Sequence, residues 1–201
     1  MADLAAKGKY KEVNEILAPF LKSNVDKRRN TRKVLHIESE FSRQELVFIQ
    51  RILQNMPREV FQVASRRASV VIPLCNVSGV SSILFEKRSA LVRTHKNEVC
   101  FPGGMVDDTV DASIVQTRYR HSNFHGIFSN FISLREMEEE IGIPPERAEV
   151  LGILRCNWAE VATMTGVAVT PVVAFIGDLN NLVLSPNPAE VSSLSIYLIS
   201  I

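Results

Sequence analysis

The first sixty residues carry apolar positions at helical spacing. Between residues 4 and 22 these positions are Leu4, Val13, Ile16, Leu17 and Phe20, which predicts an amphipathic helix. A second helix is predicted from Ser42 to about Met56, because Ser42 followed three residues later by Glu45 forms a capping box. We therefore assign residues 1–62 to an N-terminal helical extension.

The pattern changes near Ala64 from helical spacing to short runs that are typical of strands. Runs at 68–75 and 81–88 flank the sequence NVSGV, which predicts a hairpin, and further strands are predicted at 98–101, 149–155 and 166–177. A glutamate-rich segment with helical character separates the third strand from the fourth. Residues 63–201 are thus predicted to form one domain of the α/β (α+β) class with a mixed β-sheet around a central helix.

Composition narrows the classes of function. A hydrophobic content of 46% is sufficient for a core, and a net charge of +1 gives no general attraction to nucleic acid or to an anionic membrane. No apolar run is long enough for a membrane span. The three cysteines include no CxxC pair, which favours a reduced intracellular compartment over a zinc cluster or a disulfide framework.

The sequence REMEEEIGI contains the strongest candidate chemistry. On a helix, Glu136, Glu139 and Glu140 would project from one face, where three like charges destabilise the fold unless a positive charge lies nearby. Carboxylate oxygens suit Mg²⁺ or Mn²⁺, which also accept oxygens from substrate phosphates. The alternative is a solvated acidic helix face.

This segment resembles the second half of the Nudix box, the signature of the Nudix hydrolases. Seven positions match it: Arg135, Glu136, Met137, Glu139, Glu140, Gly142 and Ile143. The upstream segment 84–104 resembles the signature of the coenzyme A diphosphatase branch of that family, and the matching residues are Lys87, Arg88, Ser89, Arg93, Phe101, Pro102, Gly103 and Gly104. Asn97 stands where the branch has a glycine, and both residues tolerate a positive φ.

The resemblance implies a Nudix-type α/β/α sandwich and a metal-dependent hydrolase. The implied reaction splits coenzyme A into 3′,5′-ADP and 4′-phosphopantetheine with Mg²⁺ or Mn²⁺ as cofactor. An acyl or oxidised form of coenzyme A would give the corresponding derivative of phosphopantetheine. It also implies an intracellular location, mitochondrial or cytoplasmic. No nucleic-acid partner is expected, and the oligomeric state is open.

The resemblance also implies roles for individual residues. Glu136 and Glu140 would bind the metal, Glu139 would be a ligand or a base, and Arg135 would orient a glutamate. Gly103 and Gly104 would bring the backbone close to ligands and substrate. Lys87, Arg88 and Arg93 would contact the phosphates, or else be plain surface cations.

One segment departs from the family pattern. Thirty residues, Met105 to Leu134, separate the glycine turn from Arg135, whereas relatives have about half that number. Residues 118–132 form the excess, and we considered either a retained intron or a natural surface insertion. With the helix restarting at Ser133 as its N-cap, and with Val110 where the family has an acid, we expect reduced activity. The end of the chain resembles a truncated form of the family.

Two alternatives to coenzyme A hydrolysis remain. A Nudix hydrolase could act on another nucleoside diphosphate derivative, which a substrate panel would reveal. A catalytically silent domain could only bind a nucleotide, and it would take up metal without turnover.

Overall fold

A computed structural model describes residues 39–55, 66–106, 124–154 and 167–199. The two helices within these ranges are α1 (Arg43–Asn55) and α2 (Phe124–Ile141). The seven strands are β1 (Arg67–Val77), β2 (Val80–Arg88), β3 (Val99–Cys100), β4 (Gly103–Met105), β5 (Glu149–Ile153), β6 (Ala168–Asp178) and β7 (Val191–Leu198). The helix predicted at residues 4–22 lies outside the described residues. No helix among the described residues is long and apolar enough to cross a membrane.

The strands form one mixed sheet. The order along it is β3-β2-β1-β6-β5, in which β1 pairs with β6 in parallel and the other pairings are antiparallel. The predicted hairpin joins β1 to β2 through Ser78 and Gly79, both of which have a positive φ, as the tight hairpin turns require. The mixed sheet of the predicted α/β class is therefore present.

The sheet opens on one side of β1. Near the hairpin β1 pairs with β2, but at its other end it pairs with β4, through Ala68 to Val70. The second half of β2 pairs with β3 instead, so the chain from β3 to β4 fills the gap between β1 and β2. The Val71 N–H donates to the Pro102 carbonyl at 2.8 Å inside this gap. The glycine turn is thus held as part of the sheet.

Helix α1 begins where the capping box predicted. The Ser42 N–H donates to Glu45 Oε2 at 2.7 Å, and the Glu45 N–H donates to Ser42 Oγ at 3.3 Å, which satisfies two otherwise free N–H groups. Its Leu53 packs on Gly152 of β5, where a Cβ would lie 2.8 Å from the leucine Cβ. This predicted helix therefore packs on the sheet, while the predicted boundary at residue 62 stays a prediction.

Helix α2 corrects the prediction for the excess segment. The helix starts at Phe124 rather than at Ser133, so the last nine residues of the excess are helical and continuous with the glutamate segment. Ser133 and Ile132 are both fully buried within the helix, and Ser133 is not an N-cap. The proposed restart at Ser133 is wrong because the preceding residues already extend the helix by more than two turns.

The core lies between α2 and one face of the sheet. Leu134, Met137 and Ile141 of α2 recur at helical spacing and pack with Ala174 and Ile176 of β6. Phe175 projects from the other face of β6, where its ring meets Phe41 edge-on just before α1, at 6.1 Å between centroids. The two helices therefore cover opposite faces of the sheet.

Candidate functional site

The glycine turn has no room for side chains. A Cβ on Gly103 would overlap the Ser69 carbonyl oxygen and would lie 2.6 Å from the Val70 Cα. A Cβ on Gly104 would lie 2.5 Å from the Glu136 carboxyl carbon. The two glycines thus let the turn pass between strand β1 and the glutamates of α2, as the sequence predicted for a close backbone approach.

Glu136 and Glu140 come together at this turn. They are one helical turn apart on the same face of α2. The Gly103 N–H donates to Glu140 Oε2 at 2.8 Å, and Glu140 is only 3% exposed. The turn and the helix therefore place two carboxylates beside each other, one buried and one half-buried.

Glu139 is directed elsewhere. Its Oε2 accepts a hydrogen bond from Arg135 Nη1 at 2.7 Å, and its side chain is 54% exposed. Arg135 also donates to Glu136 Oε1 at 2.6 Å, so it contacts both glutamates, while its role in orienting them stays a prediction. Of the three glutamates predicted to share one site, the structure brings together two and leaves Glu139 on the surface.

The end of α2 is fixed by its own cap and by the segment before β7. Gly142 has a φ of 78°, and its N–H donates to the Glu138 carbonyl at 2.9 Å, which forms the predicted left-handed cap. The N–H groups of Ser185 and Asn187 donate to the carbonyls of Ile141 and Glu140 at 3.0 and 2.9 Å. The last helical turn, which carries Glu140, is thus anchored at its carbonyl end.

The positive charge near the paired carboxylates is unevenly placed, because Arg135 forms a close ion pair with Glu136 whereas Arg88 lies 3.9 Å from Glu140. Burial raises the pKa of Glu140 to about 8, and the nearby charges of Glu86 and Glu136 act in the same direction. Burial also raises the pKa of Glu136, against the opposing effect of Arg135. A cation between these groups would stabilise their charged forms.

A divalent cation at this site would have two protein carboxylates as ligands, Glu136 and Glu140, rather than the three that the sequence predicted. Within the described ranges, no group of three or more acidic, histidine or cysteine side chains is arranged to hold a metal ion. Mg²⁺ usually binds one or two carboxylates and takes its other oxygens from water and substrate phosphates. Glu136 and Glu140 therefore match the smaller set.

A cavity of about 550 Å³ opens beside the two glutamates. Its lining consists of Arg88, Leu91, Val92, Arg93, Gly103, Gly104, Met105, Glu136, Glu140, Ala189 and Glu190. Arg88 and Arg93 therefore both line the cavity, and their contact with phosphates stays a prediction. Lys87 is not among the lining residues, because successive residues of β2 point to opposite faces and Arg88 faces the cavity.

The segment between β2 and β3 keeps its predicted turn. Asn97 has a φ of 63°, in the left-handed region, where asparagine is tolerated better than most residues. Its N–H donates to the Arg88 carbonyl at 3.2 Å. Asn97 therefore adopts a backbone conformation that a glycine at this position could also adopt.

Comparison with known proteins gives matches to curated Nudix hydrolases. The chain is 35% identical over 149 residues to the uncharacterized Nudix hydrolase NudL of Pectobacterium atrosepticum, covering 73% of this chain and 65% of that protein. It is 39% identical over 111 residues to NudL of Cronobacter sakazakii, covering 55% of this chain and 47% of that protein. The similarity to these relatives supports a relationship between this chain and the Nudix hydrolase family. The chain spans between about half and two thirds of the length of the relatives it matches.

No family model matches the chain. Among solved structures, the Nudix hydrolase RenU from M. Smegmatis aligns with a TM-score of 0.43 at 17% identity, covering 66% of this chain and 70% of that one.

Two acidic residues near Glu136 and Glu140 were not predicted from the sequence. Glu190 lines the cavity just before β7, and Glu86 is fully buried on β2. Glu86 directly follows the run SSILF and stands two positions before Arg88, but this spacing alone does not show that its side chain is buried. Glu190 lies in a polar turn, where an acidic residue is common, so the sequence gives no indication that it lines a cavity.

Proposed function

We propose that this chain hydrolyses the diphosphate bond of coenzyme A, or of an acyl or oxidised derivative, with a divalent cation. The observation that carries the proposal is one cavity with two glutamates on one wall and two arginines on another. Glu136 and Glu140 stand at the glycine turn, and Arg88 and Arg93 line the same space. A diphosphate bound there would meet both kinds of group.

The cation would be held by Glu136 and Glu140. When bound, it would neutralise phosphate charge and lower the pKa of a coordinated water. The glycine turn supports this arrangement, because the Gly103 N–H fixes one Glu140 oxygen and leaves Oε1 for other partners. Arg135 orients Glu136 in the same way, through its Oε1.

The arginines would bind the substrate phosphates. A guanidinium presents a planar fork of donors that suits phosphate oxygens better than a lysine does. The Arg88 side chain is 24% exposed at the cavity wall. Arg93 stands on the exposed loop between β2 and β3, at the mouth of the cavity.

The choice of coenzyme A depends on the signature around the cavity. Lys87, Arg88, Arg93 and the FPGG turn match the pattern of the coenzyme A diphosphatase branch, and three of these elements line the cavity. The coarser proposal is hydrolysis of a nucleoside diphosphate derivative, of which dinucleotides and nucleotide sugars are the competing examples. A catalytically silent nucleotide-binding domain remains the alternative from a different class.

The test measures release of 3′,5′-ADP from coenzyme A with and without Mg²⁺, beside a panel of other nucleoside diphosphate derivatives. We expect Glu140→Gln to reduce turnover by more than about 100-fold, beyond the roughly 10–100-fold typical of changes outside the ligand shell. Glu146→Gln, on the exposed turn after α2, is the control and should leave turnover unchanged. Release of product from another substrate alone would overturn the choice of coenzyme A, and Mg²⁺ uptake without any turnover would favour the silent domain.

A further inference from the structure

Glu86 is a buried acid that the proposed reaction does not use. Its side chain has no exposed surface, and it lies on β2 among residues that face α2. Its Oε1 accepts a hydrogen bond from the Cys100 thiol at 3.3 Å, whereas its Oε2 has no hydrogen-bond partner. A buried carboxylate oxygen without a hydrogen-bond partner destabilises the fold, so its retention needs a physical reason.

Arg88, on the same face of β2, also has a buried polar atom without a hydrogen-bond partner. Residues two apart on a strand point in the same direction, so Glu86 and Arg88 both project toward α2. The Arg88 Nε is buried and has no hydrogen-bond partner, although the guanidinium end lines the cavity. The charge of Arg88 acts favourably on the Glu86 carboxylate, and both side chains interact with the Cys100 thiol.

Arg88 also faces a second acid. Its Nη1 lies 3.9 Å from Glu140 Oε1, at the outer limit of an ion pair. Arg135 and its glutamates, by comparison, approach to 2.6 and 2.7 Å. Arg88 therefore faces two acids: its charge acts favourably on the buried Glu86 of its own strand, and its contact with Glu140 of α2 is a long one.

We propose that Glu86 is a positioning residue, which holds the Arg88 guanidinium against the cavity wall and so keeps it from closing on Glu140. This inference rests on the proposed function, because it concerns the same cavity. The consequence is twofold. Arg88 keeps its fork directed at a substrate phosphate, and Glu140 keeps Oε1 available for a cation.

The experiment is a double-mutant cycle with Glu86→Gln, Arg88→Gln and the double variant, measured by calorimetry with Mg²⁺ alone. We expect Glu86→Gln to bind Mg²⁺ about tenfold more weakly, because Arg88 then pairs closely with Glu140. The double variant should recover most of the wild-type affinity, because no guanidinium remains to close. Glu98→Gln is the matched control, since Glu98 is an acid with a 62% exposed side chain that pairs with His95. The Glu98→Gln variant should bind Mg²⁺ with the affinity of the wild type.

Two results would overturn the proposal. Wild-type Mg²⁺ affinity in Glu86→Gln would show that Glu86 does not restrain Arg88. Equally weak binding by Glu86→Gln and the double variant would show that Glu86 binds the cation directly.

A metal-free arm separates this inference from the proposed function. Thermal unfolding of the same four proteins in EDTA should show coupling, with the double variant more stable than the sum of the single losses predicts. Additive losses would refute the partnership of Glu86 with Arg88, whatever the coenzyme A assay shows. Coupling without coenzyme A hydrolysis would instead refute the substrate and retain the role of Glu86.

Discussion

At the scale of single residues, the glycine turn and the glutamates define each other's positions. Gly104 packs so closely on Glu136 that no side chain fits between them. Gly79, in the hairpin far along the sheet, is required for a different reason, because its φ is +77° and nothing lies within 4 Å of a Cβ. Gly104 is thus required because no space is left for a side chain, whereas Gly79 is required because of its backbone conformation.

Replacement of Gly104 by alanine should therefore impair the site more than the fold. The added methyl group displaces the Glu136 carboxylate, so we expect Mg²⁺ affinity and turnover to fall by about tenfold or more. Gly79→Ala should lower stability by about 1 kcal/mol through backbone strain and leave both properties unchanged. Calorimetry with Mg²⁺ and thermal unfolding of the two variants would check this contrast, and equal losses of Mg²⁺ affinity in both would contradict it.

The raised pKa of Glu140 makes the stability of the metal-free protein depend on pH. The pKa rises from 4.5 when unfolded to about 8 when folded, so the unfolded chain loses this proton first and stability falls as pH rises between these values. In EDTA, we expect the Tm advantage of Glu140→Gln over the wild type to widen from about pH 5 to about pH 8. Parallel curves for the two proteins would argue against a buried charge, and added Mg²⁺ should narrow the gap at the higher pH.

The residues that sequence reasoning placed correctly are those with local signals. Helical spacing was enough to put Glu136 and Glu140 on one face, and a positive φ at Asn97 followed from its place in a turn. The direction of Glu139 was not predictable, because it depends on the ion pair that Arg135 forms with Glu139 as well as with Glu136. Glu86 depends on burial by distant parts of the chain, which spacing along β2 does not reveal.

At the scale of elements, α2 shows that the excess segment is built into the fold. Phe124 to Ile132 form the first half of the helix, and Ile132 is fully buried. A surface loop inserted into the chain would leave its residues exposed. The origin of residues 118–132, intron or insertion, stays open, but the last of these residues, Ile132, packs in the interior.

Ile132→Ala tests that role directly. Because the side chain is completely buried, its truncation should reduce the free energy of unfolding by about 2–5 kcal/mol. Val183→Ala is the control, since Val183 is 90% exposed and should change stability by less than about 0.5 kcal/mol. Denaturant unfolding of both variants would decide, and a loss below about 1 kcal/mol for Ile132→Ala would place the residue outside the core.

At the scale of the whole molecule, the sheet joins strands that are distant in sequence. The hairpin of β1 with β2 was predictable from its turn, but the parallel pairing of β1 with β6 links Arg67 to Ala168 across half the chain. No local pattern encodes such a pairing. The class of fold followed from strand and helix patterns, whereas the strand order and the gap that holds the glycine turn required the structure.

Burial within the sheet should also protect the Cys75 thiol from alkylation. Cys75 has no exposed surface, and burial together with the charge of Asp178 raises its pKa to about 12, so little reactive thiolate forms at neutral pH. We expect Cys75 to resist iodoacetamide in the native protein and to react readily in urea. Mass spectrometry of labelled peptides would measure this, and rapid native labelling of Cys75 would mean that the sheet opens locally.

Because the glycine turn lies between β1 and β2 within the sheet, the cavity has two parts that differ in how well they tolerate substitutions. Its floor is the glycine turn, which belongs to the hydrogen-bonded ladder and contacts Glu136 and Glu140, so substitutions there displace the glutamates directly. Its rim, with Leu91, Val92 and Arg93, stands on a loop outside the ladder. Redesign toward a different leaving group should therefore succeed through rim residues while the floor is kept, so that new selectivity can arise without rebuilding the scaffold.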